Sequence, residues 1–344
     1  LARSDFGFIE EFFLRSMVVH ELLLAESTRA RLSVELEQLS DVVCVCPNED
    51  GDFVRGADIV SADELDISMV RLDLELFASH QAKLVKLITT APSLEFVQTA
   101  AAGLDNPMFK NISEKTSVFC SSDAQSPAIS EFVVASVLNR WHRFDLRRGY
   151  QQESQWEENE FKQIFGSNWL IVGFGNIGEG VAKQVKAAGA SVTGVRRNLT
   201  PSEHADAMLS LDDLYAELPK ADVVVLSCAL NDATRDMASA DFFEAMKPGA
   251  VLVNIGRGEL LDEDALMAAL DSSQLDYAVL DVFRTEPLQA ESKLWAHDRV
   301  QITPHASHRG SATPSRFDSL FLGNLRGFLT GGEIKNQVSK DYFA

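Results

Sequence analysis

The stretch LIVGFGNIGEGVAKQVKAAGASVTGVRRN, Leu170 to Asn198, decides the fold. An apolar run ends in Gly173, Gly175 and Gly178 at G-x-G-x-x-G spacing, a helical pattern follows, and a second apolar run closes on Arg196 and Arg197. Strand, glycine loop, helix and strand in that order open a doubly wound α/β unit. Each glycine then has its own reason. The first permits a tight turn, the second lets the backbone approach a pyrophosphate, and the third allows close helix packing. The N–H groups of Asn176 and Ile177 at the helix start are free to hold the anion.

Where this fingerprint usually sets Asp or Glu against a ribose 2'-hydroxyl, the chain has Arg196 and then Arg197. A carboxylate there would repel a 2'-phosphate, whereas a guanidinium donates paired, charge-assisted hydrogen bonds to one. The residues therefore point to NADP (NADPH) as the preferred cofactor, with NAD possible.

Outward from this unit, from Leu170 to His305, the runs LIVGFG, SVTGVR, DVVVLSC, AVLVNIG, YAVLDVF and VQITPH alternate with helical patterns. Strands apolar on both faces and separated by helices predict a parallel sheet covered on both sides. Upstream, DVVCVC and KLVKLITTA read as strands of a second α/β unit. Between the two, Val133, Val137, Trp141 and Phe144 form one stripe of a long bridging helix. After His305, TPSRFDSLFLGNLRGFLTGG reads as an amphipathic helix that crosses back. The expected architecture is two doubly wound α/β domains, Rossmann-like and flavodoxin-like, with the active site in the interdomain cleft. Residues 1–130 plus 309–344 would form a discontinuous substrate domain, and residues 131–308 the dinucleotide-binding domain.

The 344 residues are 46% hydrophobic and carry a formal net charge of −20. A sizeable core is therefore available, while nucleic acid and anionic membrane surfaces are disfavoured as partners. Cys44, Cys46, Cys120 and Cys228 lack the spacing of a disulfide framework or a zinc site, which suits reduced thiols in the cytoplasm. No apolar run reaches the ~18 residues of a membrane span, and the opening LARSDFGFIEEFF carries acids where a signal peptide would be basic. His297, His305 and His308 match no metal-ligand spacing, so no metal is expected.

Three strand ends carry the chemistry. VLVNIGRGELLDEDAL ends a strand in Arg257, YAVLDVFRTEPL puts Asp281 at a strand end with Glu286 in the loop after it, and VQITPHASH ends the last strand in His305. In open α/β sheets ligands bind beyond the carboxyl ends of strands. If these strands are neighbours, Arg, Glu and His supply an anchor for a carboxylate, a partner for an imidazole and a proton donor.

With NIGRG, LDVFRTEPL and ITPHAS in this order, and QTAAAGLDN upstream, the chain resembles the D-isomer-specific 2-hydroxyacid dehydrogenases. NRWHRFDLRRGYQQESQW, GVRR and EPLQAESKLWAHDRVQITPH make it most similar to their NADPH-dependent glyoxylate/hydroxypyruvate reductases. The resemblance implies reduction of a small 2-keto acid to the D-2-hydroxy acid by a homodimer. Arg257 would hold the substrate carboxylate with the backbone N–H groups of Ala102 and Gly103. His305 would be the general acid, Glu286 would hydrogen-bond its imidazole and favour the protonated form, and Asp281 would contact the nicotinamide carboxamide. Rival readings are a family dehydrogenase of different substrate and a nucleotide-sensing, corepressor-like binding protein on the same fold. A formate dehydrogenase would be expected to carry Gln where Glu286 stands.

Overall fold

The computed structural model describes residues 19–78 and 80–343, and the opening stretch read above as unlike a signal peptide lies outside them. The chain divides into two compact units. The first takes the chain up to Ala124 and again from Pro314, and the second runs from Gln125 to Thr313.

The first unit holds a sheet of β1 (His20–Leu23), β2 (Val42–Pro47), β3 (Phe53–Arg55), β4 (Asp58–Val60), β5 (Ile67–Leu72), β6 (Phe96–Thr99) and β7 (Val118–Cys120), in the order β4-β3-β2-β1-β5-β6-β7. The five strands from β2 to β7 in that row are parallel, and β3 and β4 add an antiparallel edge. Leaving that edge aside, the parallel order is the flavodoxin-like 2-1-3-4-5. KLVKLITTA, expected as a strand, is instead the body of helix α1 (Gln81–Thr90). Leu84 and Ile88, one helical turn apart, are both fully buried, and the hydroxyls of Thr89 and Thr90 donate back to the carbonyls of Val85 and Lys86 at 2.7 and 2.8 Å. The strand lies just downstream in β6, every residue of which is buried.

The second unit begins with α2 (Ser126–His142), which turns through Arg143 in a left-handed conformation (φ 52°) into α3 (Phe144–Gln152). The single bridging helix expected from the stripe is thus broken. Val133, Val137 and Trp141 are buried, but the break rotates Phe144 out to 55% exposure. Its sheet contains β8 (Asn168–Val172), β9 (Ser191–Val195), β10 (Ala207–Leu209), β11 (Val223–Leu226), β12 (Ala250–Asn254), β13 (Leu275–Leu280) and β14 (Val300–Ile302). The order is β10-β9-β8-β11-β12-β13-β14 with all neighbours parallel. This is the doubly wound 3-2-1-4-5-6 arrangement with one strand added.

Alternation within each strand builds both core layers of this unit. Leu170, Val172, Val224, Leu226 and Leu252 pack on one face, and Trp169, Ile171, Val223, Val225 and Val251 on the other. Helix α4 (Asn176–Ala187) lies against α2 and adds Val181, Ala182 and Val185 to the second layer. Gly180 lets the two helices approach, since a Cβ there would lie 3.1 Å from the Ser130 hydroxyl. Helix α5 (Glu263–Asp271) is capped by Asp262, whose side chain accepts from the N–H groups of Asp264 and Ala265.

Helix α6 (Thr313–Thr330) carries the chain back to the first unit. Phe321 and Leu325, fully buried, join Leu22, Met69 and Phe96 in one core layer. Arg71, 2% exposed, ties β5 to this helix through Asp318 at 2.6 Å and also holds Asp73 at 2.8 Å, with its guanidinium over the Phe317 ring.

Candidate active site

Beyond β8 the chain turns at Gly173 with φ +98°, and its N–H donates to the Val195 carbonyl. A Cβ at Gly173 would stand 2.3 Å from the Cys228 backbone nitrogen, and one at Gly178 would stand 2.3 Å from the Gly173 carbonyl oxygen. Packing thus demands these two glycines. At Gly175 a Cβ would meet nothing within 4 Å. That open surface, followed by the first turn of α4 with Asn176 and Ile177, is a cradle into which an anionic group can descend to backbone contact.

Arg196 sits one residue past β9, its guanidinium 6.0 Å from the centroid of the Phe174 ring. It donates to the Phe174 carbonyl at 3.3 Å and to the Thr200 carbonyl, while its Nε is buried with no hydrogen-bond partner. Among the described residues no carboxylate pairs with it, and Arg197 beside it is exposed. A half-buried cation held by carbonyls next to the glycine loop fits a phosphorylated ribose. The residues present therefore fit a nicotinamide dinucleotide.

Strands β12, β13 and β14 are adjacent and parallel, so the segments following them emerge on one edge of the sheet. Asn254, fully buried at the end of β12, accepts from Gly256 N at 3.1 Å and donates to the Arg257 carbonyl at 2.8 Å. This fixes the backbone that presents Arg257, a half-buried residue whose own guanidinium also donates to the Gly256 carbonyl. The next residue, Gly258, touches the chain at Phe283 so closely that a Cβ would fall 1.9 Å from that carbonyl carbon. The Arg257 loop and the loop bearing Glu286 are thereby pressed together.

Glu286 uses its two oxygens differently. Oε1 accepts from the Phe283 N–H at 3.0 Å, and Oε2 lies 2.9 Å from Nδ1 of His305. A carboxylate only accepts, so Nδ1 carries the hydrogen and Nε2 is the ring atom left to exchange a proton. His305 itself has φ +51°, and its N–H donates to the carbonyls of Asp281 and Thr303. Its imidazole lies edge-on to that of His308 with ring centroids 6.1 Å apart. His308 is half-buried, and burial, together with its proximity to His305, pushes its imidazole below the ordinary value.

Asp281 is 1% exposed. Its Oδ1 accepts from the Thr303 hydroxyl at 2.6 Å and from the N–H groups of Ala306 and Ser307 at 2.9 and 3.2 Å. Its Oδ2 accepts from the Ser307 hydroxyl at 2.5 Å and from Ser307 N at 3.2 Å.

The second unit therefore carries the glycine cradle, Arg196, Arg257, Asp281, Glu286 and His305. Ala102 and Gly103 follow β6 in the first unit, where their N–H groups meet no protein acceptor among the described residues. Sequence reasoning missed Asn254, Thr303 and Ser307, although NIGRG and ITPHAS contain them. The four thiols are free, and burial raises Cys120 to about 12 and Cys228 to about 11. Among the described residues there is no group of three or more His, Cys, Asp or Glu that could hold a metal ion, and no helix long and apolar enough to cross a membrane.

The glycine cradle and the strand-end side chains of the second sheet suit a dinucleotide-dependent oxidoreductase. Residues 134–307 match the family model of the D-isomer specific 2-hydroxyacid dehydrogenase NAD binding domain, and the chain belongs to that family. It is 30% identical over 322 residues to the 4-methyl-2-oxopentanoate reductase A of Aspergillus oryzae, covering 91% of this chain and 95% of that one. It is 28% identical over 257 residues to the glyoxylate/hydroxypyruvate reductase A of Arabidopsis thaliana, covering 74% and 81%. Among solved structures, a D-isomer specific 2-hydroxyacid dehydrogenase family protein from Aeromonas salmonicida is similar with a TM-score of 0.75 and 27% identity, covering 94% of this chain and all of that one.

Proposed function

We propose that the protein reduces a small 2-keto acid to the D-2-hydroxy acid with NADPH in preference to NADH. The observation that carries this reading is the Glu286–His305 pair at 2.9 Å, its Glu286 loop packed against the one bearing Arg257. When bound, the reduced nicotinamide supplies the hydride that adds to the keto carbon. Arg257 holds the substrate carboxylate by charge-assisted hydrogen bonds and so orients the keto group. Ala102 and Gly103, on the first unit, are proposed as further donors to it through their N–H groups. His305 donates the Nε2 proton to the keto oxygen, which becomes the hydroxyl of the 2-hydroxy acid while the imidazolium becomes neutral. Glu286 fixes the tautomer and steadies the imidazolium before transfer. In reverse, neutral His305 accepts the hydroxyl proton.

The cofactor preference rests on Arg196, with its unpartnered Nε, and Arg197 where an acid would favour NAD. Glyoxylate and hydroxypyruvate are the proposed substrates, and the resemblance to the fungal reductase adds 4-methyl-2-oxopentanoate to the set to be tried. Four unbridged thiols support a cytoplasmic setting. A homodimer is proposed on the resemblance to the family.

Initial rates of NADPH and NADH oxidation with glyoxylate, hydroxypyruvate, pyruvate, phenylpyruvate and 4-methyl-2-oxopentanoate test the reading. Turnover that favours NADPH is expected. Binding of either cofactor without turnover on any of them would favour a nucleotide-sensing protein instead.

A further inference from the structure

Two residues ahead of Glu286 stands Arg284, which the proposed mechanism leaves without a task. Its backbone and its side chain are both held from outside the loop. The Arg284 N–H donates to Oε1 of Glu263, the first residue of α5, at 3.0 Å. Its guanidinium donates to the Leu261 carbonyl at 2.8 Å and pairs with the carboxylate of Asp236. Asp236 lies on the segment after β11 with a left-handed backbone (φ +52°), and its own N–H donates to the Glu259 carbonyl at 2.8 Å. Ala238 extends that contact, donating to the Leu260 carbonyl and accepting from the Asp262 N–H. Three segments therefore meet around one side chain: residues 236–238, the run 259–263 that follows Arg257, and the loop that carries Glu286. Within that loop the neighbouring Phe283 N–H donates to Oε1 of Glu286, whose Oε2 meets His305.

We propose that Arg284 is a positioning residue for the proton donor: by tying its loop to Asp236 and to the segment after Arg257, it sets where Glu286 meets the His305 ring. Magnitudes favour placement over stability as its task. The two side chains of the pair are 37% and 48% exposed, and an exposed ion pair adds little to folding. A catalytic group displaced by about 1 Å, by contrast, can cost about 100-fold in rate. Asp236 suits the same role, because Asp bears a left-handed backbone more readily than most residues do. The Arg284 guanidinium also holds the Asp236 carboxyl below its ordinary value. The charged groups around this junction are Asp236, Asp262 and Glu263, with Arg235 near Asp236. Those around the His305 ring are Glu286 and His308, with Asp281 on the amides of the next two residues.

The inference rests on His305 as the proton donor, so one readout needs no turnover. Arg284→Ala, Arg284→Lys and Asp236→Asn would be compared with the unaltered protein by the ¹⁵N resonances of the His305 ring, the pH profile of kcat/KM for keto-acid reduction, and thermal melting. Arg284→Ala is expected to shift the Nδ1 resonance toward that of an imidazole in water and to lower kcat roughly 3- to 30-fold. Its melting temperature should stay within about 3 °C. A weaker contact with Glu286 favours the neutral ring, so the loss of rate on the alkaline side should set in about 0.5–1 pH unit lower. Removal of a positive charge with no displacement would move that limb to higher pH instead. Arg284→Lys, whose ammonium has donors for both Asp236 and the Leu261 carbonyl, should recover most of the loss. Asp236→Asn, which suits the left-handed backbone, should show the same changes in smaller measure.

Unchanged ring resonances in Arg284→Ala would overturn the proposal, as would an alkaline limb moved to higher pH. So would a melting temperature many degrees lower with the His305 resonances unaltered, the mark of a purely structural pair. Should Arg284→Ala fail to fold, Asp236→Asn decides, and ring resonances identical to those of the unaltered protein would then overturn the clamp. Failure of the unaltered protein to turn over any keto acid would count against the proposed function, while the ¹⁵N data would still decide the role of Arg284.

Discussion

Arg257 and Arg196 have separable tasks, and each gives a prediction. Arg257→Ala is expected to raise KM for the keto acid and to depress kcat, a combined loss in kcat/KM of roughly 10²-fold or more, since charge-assisted contacts to the carboxylate disappear. Steady-state kinetics check this, and a rate loss insensitive to keto-acid concentration would argue against carboxylate binding. Arg196→Asp should lower the NADPH-to-NADH preference by roughly 10- to 100-fold, because it replaces a phosphate donor by a charge that repels phosphate. An unaltered ratio would detach the arginine from the 2'-phosphate. The places of Arg257 and Arg196 just beyond strand ends were legible in the sequence, where the apolar runs stop. Asn254, Thr303 and Ser307 were not, because they act by tying up backbone and carboxylate groups within a turn, which leaves no spacing pattern to read.

The loops between elements owe their placement to close backbone contacts and buried charge. Gly258→Ala would drive a Cβ into the backbone of Phe283, which cannot yield as a flexible side chain does. A stability loss of about 1–3 kcal/mol is expected, together with a fall in kcat as the Arg257 and Glu286 loops are forced apart. Thermal melting and kinetics on one preparation would read both. In the first unit, burial pushes the Asp318 carboxyl up, but the hydrogen bonds from Arg31 and Arg71 outweigh it and hold the group below the ordinary value. A carboxyl depressed on folding adds stability that is present above the ordinary carboxylate range and is lost as pH falls through it. Asp318→Asn, which strips the buried Arg71 of one of its two acids, should cost about 3–5 kcal/mol near neutral pH and progressively less below about pH 4. Urea titrations at the two pH values test this, and a pH-independent cost would contradict it. Element type was readable in the second unit, where six apolar runs became β8, β9, β11, β12, β13 and β14, while β5 of the first unit, six residues long and buried throughout, passed unread. KLVKLITTA misled because a short apolar run has the same composition in a buried helix as in a buried strand. The break at Arg143 was invisible because the apolar stripe continues across it.

A chain of net charge −20 nonetheless sets three arginines, Arg196, Arg197 and Arg257, beyond strands of the second sheet where substrate and cofactor anions are proposed to bind. The amphipathic pattern after His305 is helix α6, which seats Phe321 and Leu325 in the core of the first unit. Much of that first unit's strand order was not legible, because its strands run only three to six residues and none but β6, which ends in the QT of QTAAAGLDN, bears a motif. The central claim concerns one ring, the imidazole of His305 held by Glu286. Its most direct test is kcat of His305→Ala at saturating NADPH and the best keto acid, with NADPH affinity measured on the same protein by fluorescence. The account predicts a kcat lower by roughly 10²- to 10⁴-fold with NADPH still bound. Turnover equal to that of the unaltered enzyme would contradict it and remove His305 from the chemistry.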